Sequence, residues 1–161
     1  MPRIGTDGRM VHNTLDISLV MDKLSSLKTS SHSAYRLQYH IIFTVKYRKK
    51  IVTKAMLYRL EEIFSDVCGK WRCRLVEFGG EADHVHLLVD AHRAMDLSRF
   101  VGNLKTVSSR RIRKENQEYL EKFFWKPYFW NQAYGMISVG GRANLETLLS
   151  YIQEVPLLTS D

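Results

Sequence analysis

The segment Asp83-His84-Val85-His86-Leu87-Leu88-Val89-Asp90 sets two imidazoles one residue apart in a run of strand-forming residues. Successive side chains of a strand point to opposite faces, so His84 and His86 project together while Val85, Leu87 and Val89 point the other way. Two adjacent imidazoles on one face supply half of a divalent-metal site. They could equally be two unrelated histidines on a solvated sheet face. A second reactive group, Tyr151, lies at the edge of a helical stripe of Leu145, Leu148, Leu149, Ile152 and Val155. Asn144, Thr147 and Glu154 share the neighbouring polar surface. As a boundary residue Tyr151 buries its ring and keeps its hydroxyl wet. As a nucleophile, a phenol with a pKa of about 10 needs a metal and a polarised phosphate to act. Spacing alone does not choose between these.

The elements that must position these groups can be read from periodicity. Leu37, Tyr39, Ile41, Phe43 and Val45 alternate with Gln38, His40, Thr44 and Lys46, which predicts a strand. Thr53 is placed to cap a helix bearing Met56, Leu57, Leu60, Ile63, Phe64, Val67 and Trp71 on one side. A strand follows around Cys73 to Phe78, and Gly79-Gly80 is expected to turn it into the histidine strand. Asp96 can cap a second helix with Leu97, Phe100, Val101, Leu104, Val107 and Ile112 inward. An aromatic connector, Phe123 to Trp130, leads to a fourth strand over Ala133 to Val139, which Gly140-Gly141 ends before a last helix. The order β-α-β-β-α-β-α predicts an α+β, ferredoxin-like or RRM-like fold: a four-stranded antiparallel sheet (βαββαβ) with helices on one face, plus a C-terminal helix carrying Tyr151. On that topology His84 and His86 sit on an open face, within reach of a ligand.

Composition narrows the partner. The 161-residue chain has a formal net charge of +7, clustered in Lys46-Tyr47-Arg48-Lys49-Lys50 and Arg110-Arg111-Ile112-Arg113-Lys114. Either run alone could be a solvated face. Two on one small domain favour a nucleic acid, and Lys46, Arg48, Lys49, Lys50, Lys105, Arg110, Arg111 and Arg113 are the candidate contacts. Charge does not separate DNA from RNA. No apolar run approaches the roughly 20 residues of a membrane span. The N-terminus lacks the apolar core of a signal peptide, so a cytoplasmic, non-membrane protein is expected. Cys68 and Cys73, the only cysteines, read as small core residues rather than a disulfide or a zinc site. Residues 1–33, polar and serine-rich, read as a partly disordered extension; 34–155 form the domain and 156–161 a tail.

The chain resembles the single-tyrosine HUH transposases of minimal bacterial insertion sequences, the TnpA-like family related to the REP-associated tyrosine transposases. The resemblance rests on Tyr39 to Lys50, on His84-Val85-His86, on Trp130 with the Tyr134 to Gly141 segment, and on Leu148-Leu149-Ser150-Tyr151-Ile152. It implies a metal-dependent enzyme that nicks and joins single-stranded DNA in the bacterial or archaeal cytoplasm, at the nucleoid. His84 and His86 would hold Mg²⁺ or Mn²⁺, and Tyr151 would attack the phosphate to leave a 5′-phosphotyrosine. Subterminal DNA hairpins would be the recognition elements. A homodimer is implied, in which the tyrosine helix of one subunit can serve the histidines of the other. The family pattern Tyr-Ile-x-x-Gln ends here in Tyr151-Ile152-Gln153-Glu154-Val155, so the expected glutamine ligand is Val155. Gln153 points to another side of the helix, whereas Glu154 shares the tyrosine's face and offers a hard oxygen; either Glu154 replaces the glutamine or water fills the position and metal binding is weak. The alternative is a catalytically inactive or domesticated relative that binds nucleic-acid hairpins. An RRM proper is disfavoured, because His84, His86 and Leu88 stand where RNA-stacking aromatics would be. A tyrosine-free metal hydrolase would need more ligands than one His-x-His supplies.

Overall fold

The computed structural model describes residues 37–139, together with the backbone of a two-residue antiparallel ladder between Lys28–Thr29 and Ala34–Tyr35. The remainder of the 1–33 extension, the helix expected after Asn144, Tyr151, Glu154, Val155 and the tail lie outside the described residues. Within them the chain runs β1 (Gln38–Val45), α1 (Lys54–Lys70), β2 (Arg74–Glu81), β3 (His84–Asp90), α2 (Leu97–Glu115), a single turn α3 (Gln117–Leu120) and β4 (Trp130–Ser138). The sheet is antiparallel throughout, in the order β2-β3-β1-β4. This is the ferredoxin-like arrangement that the periodicity predicts. Among the described residues no helix is long and apolar enough to cross a membrane.

Both long helices start where the sequence offers a cap. Thr53 Oγ1 accepts from the Met56 N–H at 3.2 Å and Asp96 Oδ1 from the Arg99 N–H at 3.1 Å, each satisfying a donor the first turn leaves open. Their apolar stripes, Met56 to Cys68 on α1 and Phe100 to Ile112 on α2, close over Ile41, Phe43, Val45, Phe78, Val85, Leu87 and Val89 of the sheet. Ser108 is a polar residue at the heart of α2's buried side. Its hydroxyl accepts from Trp130 Nε1 at 2.9 Å and donates to Lys105 O at 3.2 Å, which removes the penalty of burying it. Both cysteines are free thiols, and Cys73 Sγ donates to Cys68 O at 3.3 Å.

Two expectations about the strands are corrected. The β2–β3 hairpin turns at Ala82-Asp83, and Gly79 and Gly80 lie inside β2. Gly80 is needed for approach rather than for a turn: a Cβ there would stand 2.6 Å from His84 O and 3.0 Å from both Leu57 and Val85 side chains. It lets β2 close on β3 and on α1 together. The fourth strand begins at Trp130 rather than Ala133, because a register shift between Phe43 and Val45 brings Trp130 opposite Val45.

The candidate active site on the histidine strand

β3 is a central strand, and its register fixes the neighbours of each histidine. Thr44 of β1 and Glu81 of β2 stand opposite His84; Ile42 and Gly79 stand opposite His86. Gly135 of β4 continues the second row beyond Ile42. Glycines thus flank the His86 row, leaving little side-chain relief across the sheet at that level.

Alternation holds, since Val85, Leu87 and Val89 enter the core and the histidines take the other face. The expectation that this face is open does not hold. His84 and His86 are only 8% and 5% exposed, and Gln38, His40, Ile42, Thr44 and Leu88 on the same face are buried as well. The physical reason lies in Ile42 and Leu88, which turn the centres of β1 and β3 into continuous apolar runs, Ile41-Ile42-Phe43 and Leu87-Leu88-Val89. Such runs belong to strands covered on both sides.

The hairpin turn holds His84 in one orientation. His84 Nδ1 lies 2.8 Å from Asp83 Oδ1, and Arg48 Nη2 lies 2.9 Å from Asp83 Oδ2. Burial pushes the Asp83 carboxyl up, but its bonds to His84 and Arg48 outweigh that and hold it below the usual carboxylate range. An ionised carboxylate only accepts, so the proton of a neutral His84 sits on Nδ1 and the lone pair on Nε2. Asp83 is itself fixed. Its carbonyl accepts from the Val45 N–H at 2.8 Å, and Ala82 O accepts from the Val52 N–H at 2.9 Å, tying the turn to the chain that leaves β1. That chain bends through two left-handed residues, Tyr47 (φ 59°) and Arg48 (φ 50°), at about 1–2 kcal/mol each. The bend is held by the Arg48–Asp83 ion pair and by Tyr47 set edge-on to Tyr128, 6.1 Å between centroids.

Donor chemistry suits a divalent cation. Ligand atoms of Glu81, Asp83 and His84 lie within 4.8 Å of one another, the one such group among the described residues. It does not include His86, and Asp83, bonded to His84 Nδ1 and Arg48, serves it as an orienting group rather than a ligand. Imidazole nitrogen with carboxylate oxygen is a set that Mn²⁺ and Mg²⁺ accept. Asp83 and Glu81 escaped the sequence reading. The signals were present: Asp83 immediately precedes the first histidine, and across a two-residue turn Glu81 must pair with His84.

The two basic runs separate in space. The Lys46–Lys50 run joins the histidine hairpin through Arg48, and its Lys50 is exposed. Lys49 donates to Phe123 O at 2.9 Å. Lys105 donates to Asn131 O and Gln132 O, both at 2.6 Å, and burial followed by the nearby Lys46 charge lowers its pKa. The second run lies in the helical layer, across the sheet from the histidines. There Arg111 pairs with Asp66 of α1 at 3.1 Å, Arg113 Nε donates to Ser109 Oγ at 3.2 Å, and Arg110 is exposed.

The family model described as IS200-like transposase matches residues 33–155 of the chain. The chain belongs to the IS200-like transposase family. It is 30% identical over 113 residues to the ISDra2 transposase TnpA of Deinococcus radiodurans, covering 70% of this chain and 80% of that protein. It is 28% identical over 126 residues to the IS200 transposase of Salmonella typhimurium, covering 78% and 81%. Among solved structures, a transposase candidate from Deinococcus radiodurans R1 superposes with a TM-score of 0.70 at 28% identity, covering 78% of this chain and 95% of that one. A REP-associated tyrosine transposase bound to a REP hairpin shares the fold, with a TM-score of 0.50 at 9% identity over 77% and 68% of the two chains.

A third imidazole on the histidine face makes a stability prediction. Burial lowers the pKa of His40 from 6.5 to about 4. The unfolded chain therefore takes up the proton first as pH falls. The resulting stability is fully present above about pH 6.5 and is lost on the way to pH 4, by up to ~3 kcal/mol. Urea unfolding of wild type and His40→Gln at pH 7 and pH 4.5 checks this: the variant's midpoint should fall less over the interval. Equal falls would show that His40 does not drive the loss.

Proposed function

We propose that this chain is a DNA transposase that cleaves and rejoins single-stranded DNA at insertion-sequence ends through a 5′-phosphotyrosine intermediate. The observation that carries the reading is His84, oriented by Asp83 and Arg48, beside His86 on a central strand of the family's fold. His84 through Nε2 and His86 would hold Mg²⁺ or Mn²⁺, with Glu81, opposite His84, a carboxylate outside the Arg48 pair and Glu154 the replacement for the family glutamine. When bound, the cation supplies Lewis acidity at the scissile phosphate. Tyr151 Oη forms the new bond to phosphorus and loses its proton, while the bond to the 3′ oxygen breaks and that oxygen leaves as a hydroxyl. One phosphoester replaces another, so an incoming 3′-hydroxyl reverses the step without ATP.

The basic residues supply backbone contacts. Lys50, next to the hairpin, and Arg110, on the helical layer, present their charge to solvent, while Lys46, Lys49, Lys105, Arg111 and Arg113 also hold structure. DNA hairpins as recognition elements are supported by the fold shared with a transposase bound to a REP hairpin. We place the protein as a homodimer in the cytoplasm, at the nucleoid, with 34–155 as its transposase domain. The test is a labelled single strand carrying the element's end hairpin, incubated with the protein and Mn²⁺ or EDTA. An SDS-resistant adduct that needs the metal and maps by mass spectrometry to the Tyr151 peptide is expected. Hairpin binding with no adduct in either condition would sink the catalytic reading in favour of a hairpin-binding relative.

A further inference from the structure

The chain holds three tryptophans, and two are committed to the fold. Trp130 donates to Ser108 Oγ at 2.9 Å, and Trp71 Nε1 donates to Asn103 Oδ1 at 3.0 Å while its ring lies edge-on to Phe100. Trp125 is 85% exposed. Leaving that much indole in water forgoes about 1.5–3 kcal/mol of burial, which makes the residue a candidate for contact with a partner.

The connector that presents Trp125 is held on both sides. Phe124 and Phe129 are buried in the core, the Phe123 and Phe124 N–H groups both donate to Leu120 O at 3.0 Å, and Lys49 donates to Phe123 O. Cations stand along it. Lys126 Nζ lies 4.7 Å from the Trp125 ring, Lys49 Nζ 5.4 Å from the Phe124 ring, and Lys46 Nζ 4.9 Å from the Tyr128 ring. A fixed aromatic plate with ammonium groups spaced beside it matches a single strand, whose bases offer π-faces and whose backbone offers phosphates. Lys126 takes one face of the indole, and the other is available to a base. A second copy of a +7 chain fits poorly here. Besides Trp125, the connector exposes only the 37% exposed Phe123 as a large apolar side chain among the described residues, too little for a stable dimer patch.

We propose that Trp125 is a stacking platform for an unpaired base of the bound strand, with Lys126, Lys49 and Lys46 holding the phosphates around it. This rests on the single-stranded DNA reading above. The experiment titrates fluorescein-labelled oligo(dT) with the full chain and with Trp125→Ala, Trp125→Tyr and Lys126→Ala. Trp125→Ala is expected to weaken binding about tenfold without changing the salt slope, and Trp125→Tyr to stay within about threefold of wild type. Lys126→Ala should reduce the salt slope by about 0.7. Wild-type and Trp125→Ala curves that coincide would overturn the platform while leaving the DNA reading intact. No binding of oligo(dT) by wild type would overturn the platform, while the hairpin strand of the adduct assay tests the DNA reading separately. An affinity loss that tracks a shift from dimer to monomer in sedimentation would overturn the platform too, and assign Trp125 to a second copy of the chain.

Discussion

Tyr151→Phe is expected to remove the covalent protein–DNA adduct and to leave hairpin affinity within about twofold, because only the bond-forming oxygen is deleted. The rate of strand cleavage should fall by about 10⁴-fold or more, since no neighbouring group can form the same ester. The placement of the other tyrosines sharpens the expectation. Tyr39 and Tyr134 pair with Val89 and Phe43 and pack against the core, on the far side of the sheet from His84 and His86. Tyr119 donates to Ile51 O at 2.7 Å, and Tyr47 and Tyr128 pack on each other beside Lys46. Tyr58 is exposed on α1, in the helical layer. Among the described side chains, no tyrosine faces the histidine pair. Tyr35 is the control: Tyr35→Phe should cleave like wild type. An adduct that persists in Tyr151→Phe and disappears in Tyr35→Phe would move the nucleophile to the N-terminal ladder.

How much of this was legible in the sequence follows the range of the interactions. Both caps and both helical stripes depend on residues within a turn or two of one another, and Thr53, Asp96, the stripe from Met56 to Cys68 and that from Phe100 to Ile112 stand where periodicity places them, with Leu97 only half-buried. The alternation of β3 is local as well, which is why His84 and His86 share a face. What failed depended on other parts of the chain. Gly79-Gly80 looks like a turn until the approach of α1 and β3 to Gly80 is known. The histidine face looks open if Ile42 and Leu88 are treated as isolated apolar residues. Arg48 reads as one more cation in a basic run, because nothing local shows that two left-handed residues aim it at Asp83, 35 positions away. The aromatic content of the Trp125 connector is plain in the sequence, but which aromatics turn inward is decided by tertiary packing.

The Arg48–Asp83–His84 chain yields the other large effect. His84→Ala removes a ligand and is expected to weaken Mn²⁺ binding more than a hundredfold and to reduce adduct formation by about 10³-fold or more. Asp83→Asn should weaken Mn²⁺ binding by about 10–100-fold although every ligand atom remains. The asparagine amide can donate as well as accept, so it no longer obliges His84 to carry its proton on Nδ1. Part of any loss would come from folding, because Asp83→Asn also strips Arg48, a largely buried guanidinium, of its counter-ion. The double variant Arg48→Met/Asp83→Asn separates the two effects. Removing the charge together with its partner should return most of the stability lost in Asp83→Asn, as read by urea unfolding. It should not return Mn²⁺ affinity, measured by calorimetry or by the Mn²⁺ EPR signal, because the tautomer of His84 is still unconstrained. Recovery of both quantities together would mean that Asp83 serves the fold alone, and that His84 needs no neighbour to present Nε2.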